Sequence, residues 1–267
     1  MDKWLGDDDI NHFCGKLQVA MAHKMEGMLA IQYITLLPED VKTLIKGNKP
    51  VLQVLLDQSR RHYIFVQWCP KKKEVFVYDS LYQGPLSLLN AHIVSQLRSL
   101  FGHLYEDKEQ KIPVTIVRDY EQQPDLHSCG YRAVGVALCR ALAVNPMLGT
   151  FHEKKIGKLM EHIQMTPIPD VNDFTSIGIG SERIPTGVEP LKCFIWSDGY
   201  VEYEGEFNVG SRNHILTGRI IQRIMHRNKM DLSQILKNKT DWTRRTGGVN
   251  HLRRAKRLRL RKRYKNV

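Results

Sequence analysis

Long apolar runs are missing from this chain of 267 residues: none approaches the roughly 18 that a membrane-spanning helix needs. Its start, Met1 to Asp9, also lacks the basic and then apolar layout of a secretory signal. Cysteine is sparse and shows no pairing pattern. The five, Cys14, Cys69, Cys129, Cys139 and Cys193, are an odd number, widely scattered, with no CxxC spacing. That argues against a disulfide framework and against a cysteine-built zinc site. The chain is expected to be intracellular, with each thiol either a buried small hydrophobe or a reactive group. Internal repeats are absent, as are zinc-finger, RNA-recognition and helix-turn-helix signatures.

Acidic residues are scarce only at one end. From Arg212 to Val267 there are 18 Lys/Arg and two acids, Asp231 and Asp241, out of 40 and 28 in the whole chain. Residues 1–211 hold the other 22 and 26 and are slightly acidic. The net charge of +12 therefore belongs to the last fifth. A uniformly basic nucleic-acid coat is excluded; a near-neutral body with a cationic end is not. With 42% hydrophobic and 25% charged residues, that body is expected to fold as one large domain or two small ones.

Hydrophobic period supplies the elements. Helices are predicted over Asp7–His23, Pro38–Lys46, Leu86–Phe101, Cys129–Val144, Ile156–Ile163 and Ile215–Met225. Strands are predicted at Val51–Leu56, Tyr63–Trp68, Glu74–Tyr78 and Val114–Val117, the second and third joined as a hairpin through Cys-Pro-Lys-Lys-Lys. Residues 166–190 hold four of the eleven prolines and read as a linker or irregular segment, followed by a hairpin over Lys192–Phe207.

Cys129 opens a helix that is apolar nearly all round. Free N–H groups and the positive dipole end there favour a thiolate. A nucleophilic thiol also needs a base, a group that orients the base, and donors for the developing oxyanion. His62 opens one predicted strand and Asp79 ends the next, so an antiparallel hairpin brings imidazole and carboxylate to the same end. Gln123, six residues before Cys129, supplies an uncharged donor beside the Cys129 N–H; Gln122 is the alternative.

Four segments in order carry a family resemblance: Trp4-Leu5-Gly6-Asp7, His62-Tyr63-Ile64-Phe65, Val77-Tyr78-Asp79-Ser80-Leu81 and Gln123-Pro124-Asp125-Leu126-His127-Ser128-Cys129-Gly130. With 17 residues from His62 to Asp79 and 50 from Asp79 to Cys129, residues 4–145 resemble the Ulp/SENP cysteine proteases. These process SUMO and related ubiquitin-like proteins, and adenovirus-type proteases share their fold. The resemblance implies Cys129 as nucleophile, His62 as general base and acid, Asp79 as orienting carboxylate and Gln123 as oxyanion donor. Trp4 and Tyr63 would flank a channel in which only glycine backbone fits; the other reading of Trp4 is a core anchor. The sequence departs from the family pattern at Tyr63 (usually Trp), Gly6 (usually Asn) and Ser128 (commonly Asp), and its first motif stands almost at its start. Divergent members are often encoded by mobile elements and large viruses, and the basic end suits that reading. His127 is expected to be a solvent-facing loop residue or an influence on the thiolate, and Cys139 a buried packing residue.

The expectation is therefore an α+β, papain-like cysteine protease fold of the Ulp/SENP type over 1–165. An accessory hairpin plus helix would follow over 166–247, then a basic tail over 248–267. Arg253 to Lys265 holds nine Lys/Arg and no acid, and reads as a nuclear import signal, a sequence-independent nucleic-acid arm, or a solvated tail. The expected partners are a ubiquitin-like protein or polyprotein substrate, with importin or nucleic acid on the tail; no membrane contact and no cofactor is expected. The competing expectation is an inactive protease fold serving as a nucleic-acid-binding or scaffolding module.

Overall fold

A computed structural model of the protein describes residues 4–36, 38–84, 88–105 and 111–204, together with two short strands at 206–208 and 215–217. The chain divides into two compact units, Met1–Glu204 and Gly205–Val267.

The first unit is built on a seven-stranded mixed sheet. In chain order its elements are α1 (Asp7–Met21), β1 (Glu26–Gly27), α2 (Ile31–Leu36), α3 (Pro38–Leu44), β2 (Val51–Asp57), β3 (His62–Cys69) and β4 (Glu74–Tyr78). Then come α4 (Ala91–Phe101), β5 (Lys111–Val117), α5 (Cys129–Ala141), α6 (Glu153–Met165), β6 (Leu191–Trp196) and β7 (Val201–Tyr203). Strand order follows chain order, with β1–β2 and β4–β5 parallel and the other neighbours antiparallel. The α+β expectation holds.

Strand alternation assigns the two faces. Tyr63 and Phe65 of β3 join Leu52 and Val54 of β2 in one core with α1, α5 and α6. On the opposite face Trp68 stacks on Phe101 of α4, ring centroids 6.3 Å apart. Helix α5 is buried on nearly every side, and Gly135 in its middle leaves no room for a side chain: a Cβ there would lie 2.4 Å from the Phe151 ring.

Three expectations need correction. The boundary at 165 falls inside the first unit, because β6 pairs with β5 and β7 with β6. The hairpin was legible, but its membership of the central sheet depends on an edge of β5 that the sequence does not reveal. The helix expected over Leu86–Phe101 is broken at Leu89 and Asn90 and runs on from Ala91, where the Asn90 side chain caps it by accepting from the His92 and Ile93 N–H groups (3.0 and 3.3 Å); residues 85–87 lie outside the described residues. Ile215–Thr217, expected to begin a helix, is a strand, β9, paired antiparallel with β8 (Glu206–Asn208) in the second unit. The rest of that helix and the tail at 248–267 lie outside the described residues.

The stretch 166–190 is irregular, as its prolines suggested, yet fixed. Phe174 packs edge-on against Phe13 of α1, with centroids 5.6 Å apart. Asp119 accepts from Arg183 Nη2 (2.9 Å), the Thr186 N–H (3.0 Å) and hydroxyl (3.0 Å), and the Gly187 N–H (2.7 Å).

Candidate active site

Four elements converge on Cys129. The β3–β4 hairpin is antiparallel, with Phe65 opposite Tyr78, so His62 and Asp79 emerge at one end of it. His62 Nε2 lies 2.6 Å from Asp79 Oδ1. Cys129 is the first residue of α5, and its thiol and the His62 ring act on each other's charge. With Nε2 taken by the carboxylate, Nδ1 is the nitrogen left for sulfur. All three groups are buried: Asp79 and Cys129 are 1% exposed and His62 2%.

Helix α5 starts where it does because Asp125 turns the chain into it. Its Oδ1 accepts from the His127 and Ser128 N–H groups at 2.8 and 2.7 Å. Gly130, beside the thiol, lets the helix approach the first motif closely: a Cβ there would sit 3.1 Å from Leu5 Cβ.

Burial opposes charge on both members of the thiol–imidazole pair, and specific contacts outweigh it. For Cys129, desolvation pushes the thiol pKa up, but the His62 hydrogen bond, the Tyr63 N–H, the His62 charge and the Gly130 N–H bring the net shift below the ordinary value. For His62, desolvation pushes down, and the hydrogen bonds and charges of Asp79 and Cys129 raise it to about 9. The two shifts run in opposite directions, the thiol down and the imidazole up to about 9, and both favour the charged forms.

Asp79 is ionised for a reason legible only in three dimensions. Desolvation opposes its charge, but His62, the Arg60 guanidinium and the Leu81 N–H together hold it below the usual carboxylate range. Arg60 Nη1 donates to Asp79 Oδ2 at 2.9 Å, while Arg60 Nε donates to the buried Asp57 at 2.6 Å. Asp57 is itself tied to Ser59 and Asn90. Sequence reading missed Arg60 and Asp57; an arginine two residues before a strand histidine carries no sign that it turns toward a carboxylate on the next strand.

Gln123 is 7% exposed and lies next to Ser80, whose hydroxyl donates to its Oε1 at 2.7 Å. Gln122 faces elsewhere, its Oε1 accepting from the Tyr82 N–H at 3.3 Å. Tyr63 is buried and its hydroxyl donates to Asp7 of α1. Trp4 is 52% exposed, so it is not a core anchor.

No protein-family model matches the sequence, and no curated protein matches it. Its fold is similar to that of Ulp1. A structure of the SUMO protease Ulp1 with its catalytic cysteine oxidized to a sulfonic acid is 18% identical, covering 65% of this chain and 79% of that one, with a TM-score of 0.47. The C-terminal Ulp1 protease domain in complex with Smt3, the yeast ortholog of SUMO, is 19% identical over 61% of this chain and 76% of that one, at 0.46. The Ulp1-like SUMO protease catalytic domain of Chaetomium thermophilum is 17% identical over 60% and 70%, at 0.42.

Two other sequence expectations meet the structure here. His127 stands between carboxylates, Nδ1 3.3 Å from Asp125 and Nε2 3.6 Å from Glu153. Those three residues gather their ligand atoms within 4.8 Å. The two ring nitrogens face different carboxylates. Cys139 is half-buried, and desolvation pushes its thiol up to about 11.

Proposed function

We propose that the chain is a cysteine peptidase hydrolysing peptide or isopeptide bonds after a Gly-containing motif, at the end of a ubiquitin-like modifier or within a polyprotein. The observation that carries the reading is the buried grouping of Cys129 and His62, with Asp79 at 2.6 Å from the imidazole and the thiol and imidazole shifted toward their charged forms. A structural cysteine in an apolar helix has no use for a raised histidine and a lowered thiol.

The chemistry follows from that pair. The Cys129 thiolate attacks the scissile carbonyl carbon and its oxygen becomes an anion. The Cys129 N–H, without an intrahelical acceptor at a helix start, and the Gln123 carboxamide meet that charge. Collapse expels the amine, which takes its proton from His62. Water then attacks the thioester, giving its proton back to His62, and the carboxylate product leaves. Asp79 keeps the ring in the tautomer and orientation both steps need.

Tyr63, fixed by Asp7, forms one wall of the substrate channel; Trp4, half exposed, forms a wall that bound substrate covers. Two aromatic faces admit backbone without side chains, which selects glycine. A panel of ubiquitin-like proteins ending in a vinyl sulfone tests the reading. Labelling of the wild type and none of Cys129→Ala is expected; a wild type that no modifier labels, with Cys129 unreactive at neutral pH, overturns it.

The cationic end is read as a nuclear import signal that also contacts polyanions. Deleting residues 248–267 should leave turnover unchanged while abolishing nuclear accumulation and salt-sensitive polyanion binding. Lost turnover on small substrates would make the tail part of the catalytic unit.

A further inference from the structure

Gln123 carries a carboxamide, and only one of its two ends can donate a hydrogen bond. Which end faces the nucleophile decides whether it can meet an oxyanion. The orientation is fixed from both sides. Ser80 Oγ donates to Oε1 at 2.7 Å, and Nε2 donates to the Asp125 carbonyl at 2.6 Å. Turned over, the amide would set its own carbonyl oxygen against that of Asp125, two acceptors with no proton between them. The Ser80 carbonyl also accepts the Gln123 N–H at 2.8 Å, so one residue holds both the backbone and the side chain of Gln123.

Neither residue has water as a substitute partner, Ser80 being 3% and Gln123 7% exposed. Ser80 directly follows Asp79, so the strand end that delivers the carboxylate for His62 delivers this clamp as well.

We propose that Ser80 is a positioning residue for the reaction. Its hydroxyl locks the Gln123 carboxamide with the NH₂ on the side of the loop that runs into Cys129. One N–H is spent on Asp125 and the second is kept for the developing oxyanion. The assignment rests on the peptidase reading.

The test uses the full chain and a ubiquitin-like protein ending in Gly-Gly-aminocoumarin. Ser80→Ala should lower kcat roughly ten- to a hundred-fold, less than the ~10²–10³ of deleting an oxyanion donor outright, with KM changed by no more than about twofold. Iodoacetamide labelling of Cys129 at pH 7 should stay unchanged, because His62, Asp79 and the N–H groups on sulfur are untouched. The Ser80→Ala/Gln123→Ala pair should be no slower than Gln123→Ala alone. Ser80→Cys, which keeps the shape and weakens the donor, should show the same split at smaller size.

A second readout needs no substrate: the side-chain NH₂ signals of Gln123 should lose their protection from hydrogen exchange in Ser80→Ala. Full turnover in Ser80→Ala, effects that multiply with Gln123→Ala, labelling that falls as far as turnover, or unchanged exchange at Gln123 would each overturn the assignment while leaving the peptidase reading standing. If instead no modifier labels Cys129 in the wild type, the peptidase reading fails and the exchange measurement alone judges the clamp.

Discussion

Cys129 and Cys139 lie ten residues apart on helix α5, one at its first residue and the other in its last turn. Both are withdrawn from solvent, and burial alone would push both thiols up. At the first end, an imidazole, two N–H groups and the free helix terminus reverse that push. At the second, the Arg140 charge works against burial and loses, leaving Cys139 at about 11. Residue type and helix are shared, so the difference lies in what other strands bring to each end. The lowered thiol pKa here is a product of β3 and the Tyr63 backbone as much as of α5.

Exchange of the two cysteines tests that contrast most severely. Cys129→Ala should abolish turnover, a loss on the order of 10⁴-fold or more, while Cys139→Ala keeps it; equal losses would break the comparison. Asp79→Asn should cost roughly 10³–10⁴-fold in kcat, by leaving His62 in the wrong tautomer without a carboxylate to support its charge. Slower iodoacetamide labelling of Cys129 at pH 7 should accompany it.

The pH dependence sharpens the contrast further. His62 is raised, so its proton is kept below its folded pKa and lost above it. Turnover should accordingly fall as pH passes about 9. Cys129 is lowered, so the acid limb lies below the ordinary thiol value. Peptide mass mapping of alkylation should find Cys129 modified at pH 7 and Cys139 unmodified until pH nears 11. In Cys129→Ala, NMR titration should find the His62 pKa below 9, because an anionic partner has gone.

The smallest effect separates packing from chemistry on the same helix. Gly135→Ala drives a methyl into Phe151 and should cost about 1–3 kcal/mol in denaturant unfolding while sparing turnover per folded molecule. Gly130→Ala presses on Leu5 and should also lower turnover, since it moves the residue bonded to sulfur.

What was legible in the sequence is what depends on neighbours along the chain. β-Branched and aromatic residues in Tyr63–Trp68 and Glu74–Tyr78, joined by Cys-Pro-Lys-Lys-Lys, predicted the hairpin, and the hairpin predicted that His62 meets Asp79. Cys129 at a helix start needed only the apolar run behind it. Of the two glutamines, periodicity could not choose; burial and Ser80 distinguish Gln123. Arg60 was invisible because its partners, Asp57 and Asp79, belong to different strands. The domain limit at 165 failed for a related reason: proline-rich residues 166–190 look like a linker, and nothing local says that Asp119 and Phe13 hold them or that β6 returns to β5.

The strand order has a consequence for the timing of biosynthesis. Cys129 leaves the ribosome before β6, which begins 62 residues later and covers the edge of β5. His62 and Asp79 are already made by then, but the sheet that holds them is still open on one side. Until Leu191–Trp196 docks, the thiol belongs to a chain whose central layer is incomplete. The chain thus carries Cys129 well before the layer that frames it is closed.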